Sequence, residues 1–173
     1  RAVSSAIFHR NGQMDSLIEW LNSTALNDFI MSTAWLWPTL EIAHFFGLCL
    51  LLGALIVSDL RMMGVARAVP LVLIEKFMIL AVIGFSINAI TGIFFIVGDP
   101  DRYLPNIAFR IKMVLIVIAG LNVGYYLLLV RLQVLSGDKD TELSSGGRLI
   151  AALSLVLWTS IIVLGRIIPY VED

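Results

Sequence analysis

A chain of 173 residues that is 59% hydrophobic and 14% charged, with a mean hydropathy of +0.93, has more apolar surface than a water-soluble core of this size can hide; a soluble domain is about half apolar and about a quarter charged. A net charge of −1, with both signs scattered, leaves no basic face for nucleic acid. The single cysteine, Cys49, excludes an intrachain disulfide, and four membrane spans of about 20 residues each would leave no room for a separate catalytic domain.

Residues 1–13 (RAVSSAIFHRNGQ) lack the long apolar core of a secretory signal and precede Met14, a candidate start. They are expected to form a poorly ordered extension in which His9 and Arg10 carry no function. Over residues 14–37, Leu17, Ile18, Leu21, Ala25, Phe29 and Ile30 return at helical spacing with Asp15, Glu19, Asn22, Asn27 and Asp28 between them. Polar residues so frequent predict an amphipathic helix lying in the membrane interface, with Trp20, Trp35 and Trp37 at headgroup level.

Pro38 then suits the first turn of a helix, where its missing N–H has no partner to lose. Residues 38–173 read as a four-helix transmembrane domain, with spans at 39–58, 73–97, 111–130 and 149–168. Asp59, Arg61 and a polar turn close the first span, Gly98-Asp99-Pro100-Asp101 stops the second, and residues 136–148 connect the last two. The expected fold is therefore an all-α membrane protein, a bundle of four transmembrane helices preceded by an interfacial helix. Arg61, Arg67, Lys76, Arg131, Lys139 and Arg148 fall in the first and third connections, against Arg102, Arg110 and Lys112 in the second. This bias places both termini outside the cytoplasm. Gly47, Gly53, Gly84, Gly92, Gly120 and Gly124 offer surfaces for close helix approach, the last two as a GxxxG.

Chemistry concentrates at Trp37-Pro-Thr-Leu-Glu41-Ile-Ala-His44, where Glu41 and His44 are three residues apart and share a helix face. An ionisable side chain below the interface is costly if it faces lipid, so both are expected to turn inward. Glu41, His44, Asp99, Asp101, Arg110, Lys112 and Arg166 gather at the outer face under the orientation above. One reading is structural: Glu41 pairs with Arg110 or Lys112, and His44 hydrogen-bonds a neighbour. The other is functional: His44, Glu41, Arg110 and Lys112 contact a cofactor, with His44 the candidate metal ligand. Haem held by two histidines would need a second membrane-depth histidine, so a b-type haem requires a shared site, a partner subunit or Met113. Copper would accept His44 with Cys49 or a methionine, but His44 and Cys49 are five residues apart, about 140° around a helix. A quinone headgroup or a proton needs only the histidine, the carboxylate and an apolar slot, for which Phe45, Phe46, Phe94 and Phe95 are candidates. Asn88 and Asn122, near mid-span, are interhelical hydrogen-bond candidates. Asp59 lies eighteen residues beyond Glu41 on the same stripe and is expected to pair with Lys76 or Arg131 in a wet interface. No nucleophile elbow, phosphate-cradling glycine loop or zinc motif supports a catalyst acting alone.

Trp37-Pro-Thr-Leu-Glu41-Ile-Ala-His44-Phe-Phe-Gly47, Gly53, Asp59-Leu-Arg61-Met-Met-Gly64, Asn106-Ile-Ala-Phe109-Arg-Ile-Lys112 and Asn122 together resemble a family of small bacterial four-helix membrane proteins known as a domain of unknown function. More distantly, the Phe-x-x-Lys start of a span followed by an asparagine is similar to membrane proteins of the copper-resistance D type, which are grouped with cytochrome b561-like bundles. The resemblance implies a bacterial inner-membrane location and copper handling or electron transfer. The chain departs from the cytochrome b561 pattern in lacking several membrane histidines. The resulting expectation is a small subunit of a larger electron-transfer assembly, or a homo-oligomer, that meets a cofactor, quinone or partner through the His44 region. A copper or small-solute permease and a purely structural component are the alternatives.

Overall fold

The computed structural model describes residues 2–70, 72–135 and 145–171, with the side chains of 2–11, 72, 126, 127, 129–135 and 145 left aside. Lys139 and the side chain of Arg131, counted above for orientation, lie outside the described residues. The elements are α1 (Ala2–Asn22), α2 (Ala25–Ser32), α3 (Leu36–Met62), α4 (Val72–Gly98), the short α5 (Pro100–Tyr103), α6 (Ile107–Leu135), α7 (Ser145–Ile167) and a closing 3-10 turn, Ile168–Tyr170.

Among the described residues, four helices are long and apolar enough to cross a membrane: Leu36–Met62, Leu73–Gly98, Ile107–Tyr125 and Gly146–Tyr170. Between 11% and 28% of each central stretch is buried within the protein, so most of the apolar side chains face outward, as a bilayer solvent requires. The protein is an all-α membrane bundle. Its core is thin: Leu51, Leu55, Ala81, Ala119, Leu157, Trp158 and Ile161 form the main cluster, and Met62, Ile74, Met78 and Ala151 a second.

The N-terminal segment differs from the single interfacial helix expected over 14–37. Helix begins at Ala2, and the chain breaks at Ser23–Thr24 before α2. The break has a local cause, because the Thr24 hydroxyl accepts the backbone N–H of Asn27 at 3.2 Å and caps a new helix. Asn27 is buried, and its amide donates to the Val97 and Gly98 carbonyls at 2.7 and 3.2 Å. Those carbonyls belong to the last turn of α4, where no intrahelical donor remains. Asn22 donates to Asp101 at 2.8 Å, so α1 is tied to α5 as well.

Backbone approaches join α3 to α4, α6 to α7 and α3 to α7, whereas α4 and α6 share no extended approach among the described residues. The bundle is thus two helical hairpins joined through α3 and α7. The tightest crossing is at Gly47 and Gly84: a Cβ on Gly84 would sit 2.6 Å from the Leu51 nitrogen and 2.7 Å from the Gly47 carbonyl oxygen. Gly53, Gly92, Gly120 and Gly124 have nothing within 4 Å of an added Cβ, so the GxxxG of α6 makes no close helix contact among the described residues. Helix α3 ends beyond the expected Ser58 in a Schellman arrangement, with Gly64 at φ +81° and bonds from Val65 N–H to Leu60 and Gly64 N–H to Arg61. The extra turn carries Asp59 into the bundle.

Candidate functional site

The helix end where α3 begins and α4 finishes is built from aromatic rings. Trp37 and Phe95 have centroids 5.3 Å apart, Phe95 stacks on Tyr103 at 6.3 Å, and Tyr103 meets Phe109 edge-on at 5.6 Å. This row links α3, α4, α5 and α6 at the end where α4 and α6 would otherwise be open to each other. Asn106 fixes the start of α6: its side-chain oxygen accepts the Phe109 N–H at 3.2 Å, and its amide donates to the Ile168 and Val171 carbonyls at 3.0 and 2.8 Å. Burial raises the Tyr103 phenol above its ordinary pKa, and the Asp99 and Glu41 carboxylates push the same way against Arg102.

His44 lies inside this frame. Its ring packs on Phe95 with centroids 5.3 Å apart, and Nδ1 lies 2.7 Å from the Thr91 hydroxyl oxygen on α4. The Thr91 hydroxyl oxygen also lies 2.8 Å from the Ile87 carbonyl on its own helix. With its one hydrogen on that carbonyl, Thr91 would accept from a protonated Nδ1; with the hydrogen on Nδ1, it would donate to the ring. No described residue hydrogen-bonds Nε2.

Lys112 is half-buried, its ammonium and last methylenes lying 3.2 to 3.9 Å from where a Cβ on Gly165 would sit. The glycine is what makes room for the side chain to run along α7. No described residue forms an ion pair with it.

Of the four residues singled out from the sequence, the structure half-buries His44 and Lys112 and leaves Glu41 and Arg110 exposed. Glu41 does not turn inward: it accepts the Trp37 indole N–H at 3.1 Å on its own helix. Among the described residues no ion pair joins Glu41 to Arg110 or Lys112; its carboxylate is met by the indole one turn back. Phe45 and Phe46 are 63% and 65% exposed, so they do not line the slot; Trp37, Tyr103 and Phe109 take their place beside Phe95. Cys49 is exposed and Met113 is 42% exposed. Among the described residues, no group of three or more His, Cys, Asp or Glu side chains is placed to hold a metal ion.

Asp59 is the residue that sequence reasoning misjudged. It is 4% exposed rather than in a wet interface, and it forms no ion pair with Lys76, which is exposed; the side chain of Arg131, the other expected partner, lies outside the described residues. The eighteen-residue offset from Glu41 did mark it as part of a polar stripe; the depth of that stripe was not visible. Asn122 bonds across helices as expected, donating to the Ile150 carbonyl at 3.3 Å, whereas the Asn88 amide donates within α4 to Gly84 at 2.9 Å. No protein family, characterised protein or solved structure matches the chain.

Proposed function

We propose that this chain is a small membrane-embedded subunit of a larger electron-transfer assembly in a bacterial inner membrane, and that the His44–Lys112 end receives the headgroup of a quinol. The observation that carries the reading is the contact of His44 Nδ1 with the Thr91 hydroxyl, which also reaches the Ile87 carbonyl; with the Thr91 hydrogen on that carbonyl, Nε2 is the acceptor left to a ligand. A quinol hydroxyl donates a hydrogen bond and, on oxidation, must lose its proton; a lone pair fixed in place by Thr91 accepts both. Lys112 supplies a positive charge beside the oxygen that becomes anionic, and Phe95 and Tyr103 offer flat apolar faces to the ring. The electrons pass to the redox partner subunit. Two ionisable side chains kept half-buried in two predominantly apolar spans, without an ion-pair partner among the described residues, favour function over scaffolding.

The same lone pair would also serve as a metal ligand, since ligating histidines are commonly oriented through their other nitrogen. Haem or copper would then need its remaining ligands from a second copy or a partner. Purification in mild detergent, with an absorption spectrum, metal analysis and equilibrium binding of a short-chain quinol, tests the proposal. The expected result is saturable quinol binding that falls at least about tenfold in His44→Ala and falls also in Lys112→Met, with the latter variant keeping its thermal stability. A Soret band or stoichiometric copper lost in His44→Ala would replace the quinol reading by the metal one, and undiminished quinol binding in His44→Ala would remove His44 from it.

A further inference from the structure

Asp59 sits in the last turn of α3, at the opposite end of that helix from His44, and only 4% of it is exposed. It lines a cavity of about 10 Å³, room for about one water, together with Asn122 of α6 and Ser154 of α7; the rest of the lining is apolar. The Ser154 hydroxyl faces the Asp59 carboxyl, yet that hydroxyl and Oδ2 are both buried without a hydrogen bond of ordinary geometry. A carboxylate here would be met only by neutral donors, that hydroxyl and the Asn122 amide, which already donates to the Ile150 carbonyl. Among the described residues no cation lines the cavity. Arg61 of α3 donates to the Val69 carbonyl, Glu75 and Lys76 of α4 and Arg148 of α7 are exposed, and the side chain of Arg131 on α6 lies outside the described residues.

We propose that Asp59 is a proton-binding site, occupied in the packed bundle, that latches α3 to the α6–α7 hairpin. A buried carboxylate without a countercharge is costly, and a proton removes the charge while needing no more room than the carboxyl already has. The neutral acid also suits its neighbours. Its O–H can be accepted by the Asn122 side-chain oxygen or the Ser154 oxygen, directly or through one water, and its carbonyl oxygen can accept from the Ser154 hydroxyl. Helix α3 packs on α7 along the seam where the two hairpins join, so loss of the proton sets an uncompensated charge at that seam. Folding then takes up a proton from water: stability declines as pH rises above the ordinary aspartate value of about 3.9 and stops declining once folded Asp59 has ionised. The site is independent of the His44 reading, since it stands on different residues at the other end of the bundle.

The test is infrared spectroscopy of the full chain in lipid nanodiscs at neutral pH, with carbon-13 in the aspartate side-chain carboxyls. The parent should show the C=O stretch of a protonated carboxylic acid, shifted by the label and missing from Asp59→Asn. Raising the pH should replace that band by carboxylate bands. Thermal melts supply the second reading: the melting temperature of the parent should fall with rising pH by more than that of Asp59→Asn, whose amide stays neutral, and Asp59→Asn should melt no lower than the parent at neutral pH. His44→Ala should keep the acid band. A parent with carboxylate bands alone at neutral pH, an acid band that survives Asp59→Asn, or the same pH dependence of melting in the two proteins would each overturn the proposal. An acid band absent from the parent that appears in Arg131→Gln would overturn it in favour of an ion pair with Arg131. Should Asp59→Asn fail to fold, Asp59→Glu decides: its acid band should no longer shift with the aspartate label, and a shift that persists contradicts the assignment.

Discussion

In the proposed arrangement Thr91 sets which nitrogen of His44 is available, although it touches nothing outside the bundle. With its own hydrogen on the Ile87 carbonyl, it would accept from Nδ1 and leave Nε2 as the acceptor. Thr91→Val keeps the volume and removes the acceptor. It should lower stability by about 1–3 kcal/mol, the cost of leaving a buried donor unmet, and weaken quinol binding, while Thr91→Ser should restore most of both; melting curves in detergent together with quinol titration read the two effects. His44 could be singled out from the sequence because an imidazole inside an apolar helix is rare. Its partner could not, because a threonine in a helix ordinarily bonds to its own backbone and nothing in the spacing shows which histidine will meet it. Asp59 was visible as a carboxylate on the same stripe, but its burial depends on α3 running one turn further than the hydropathy suggests and on Met78 and Ile150 closing over it.

The four spanning helices were legible because each is a long apolar run bounded by charge, proline or glycine, and periodicity needs no knowledge of neighbours. Contacts between them were less so. Six span glycines look alike in the sequence, yet Gly47 and Gly84 bring α3 and α4 to backbone contact while Gly120 and Gly124 face outward. A methyl at Gly84 would meet the Leu51 nitrogen and the Gly47 carbonyl, neither of which can swing aside as a side chain would. Gly84→Ala should therefore cost about 1–3 kcal/mol through overpacking, whereas Gly120→Ala should change stability by less than about 0.5 kcal/mol or raise it slightly, alanine being the better helix former. Parallel thermal melts of the two variants in one detergent measure the contrast. The break between α1 and α2 was likewise hidden: Thr24 is a good cap by residue type, but that a new helix starts there is tied to Asn27 reaching the end of α4. Because Asn27 serves α4 rather than its own helix, a reading confined to local periodicity runs the two helices together.

Taken as a whole, the molecule is a pair of hairpins with a thin core and a broad apolar exterior, closed at one end by the aromatic row and His44 and holding Asp59 near the other. Both polar positions lie on α3, the helix that packs on α4 within its own hairpin and on α7 of the other. The functional reading rests above all on the protonation of one imidazole. Protein labelled with nitrogen-15 at histidine and placed in a lipid nanodisc, with His9→Gln to leave one histidine, reports both ring nitrogens directly by NMR. At neutral pH Nδ1 should appear protonated and Nε2 unprotonated, and a short-chain quinol should move the Nε2 resonance while leaving Nδ1 in place. A ring protonated at Nε2 instead, or an Nε2 signal unmoved by saturating quinol, would contradict the proposed role of His44.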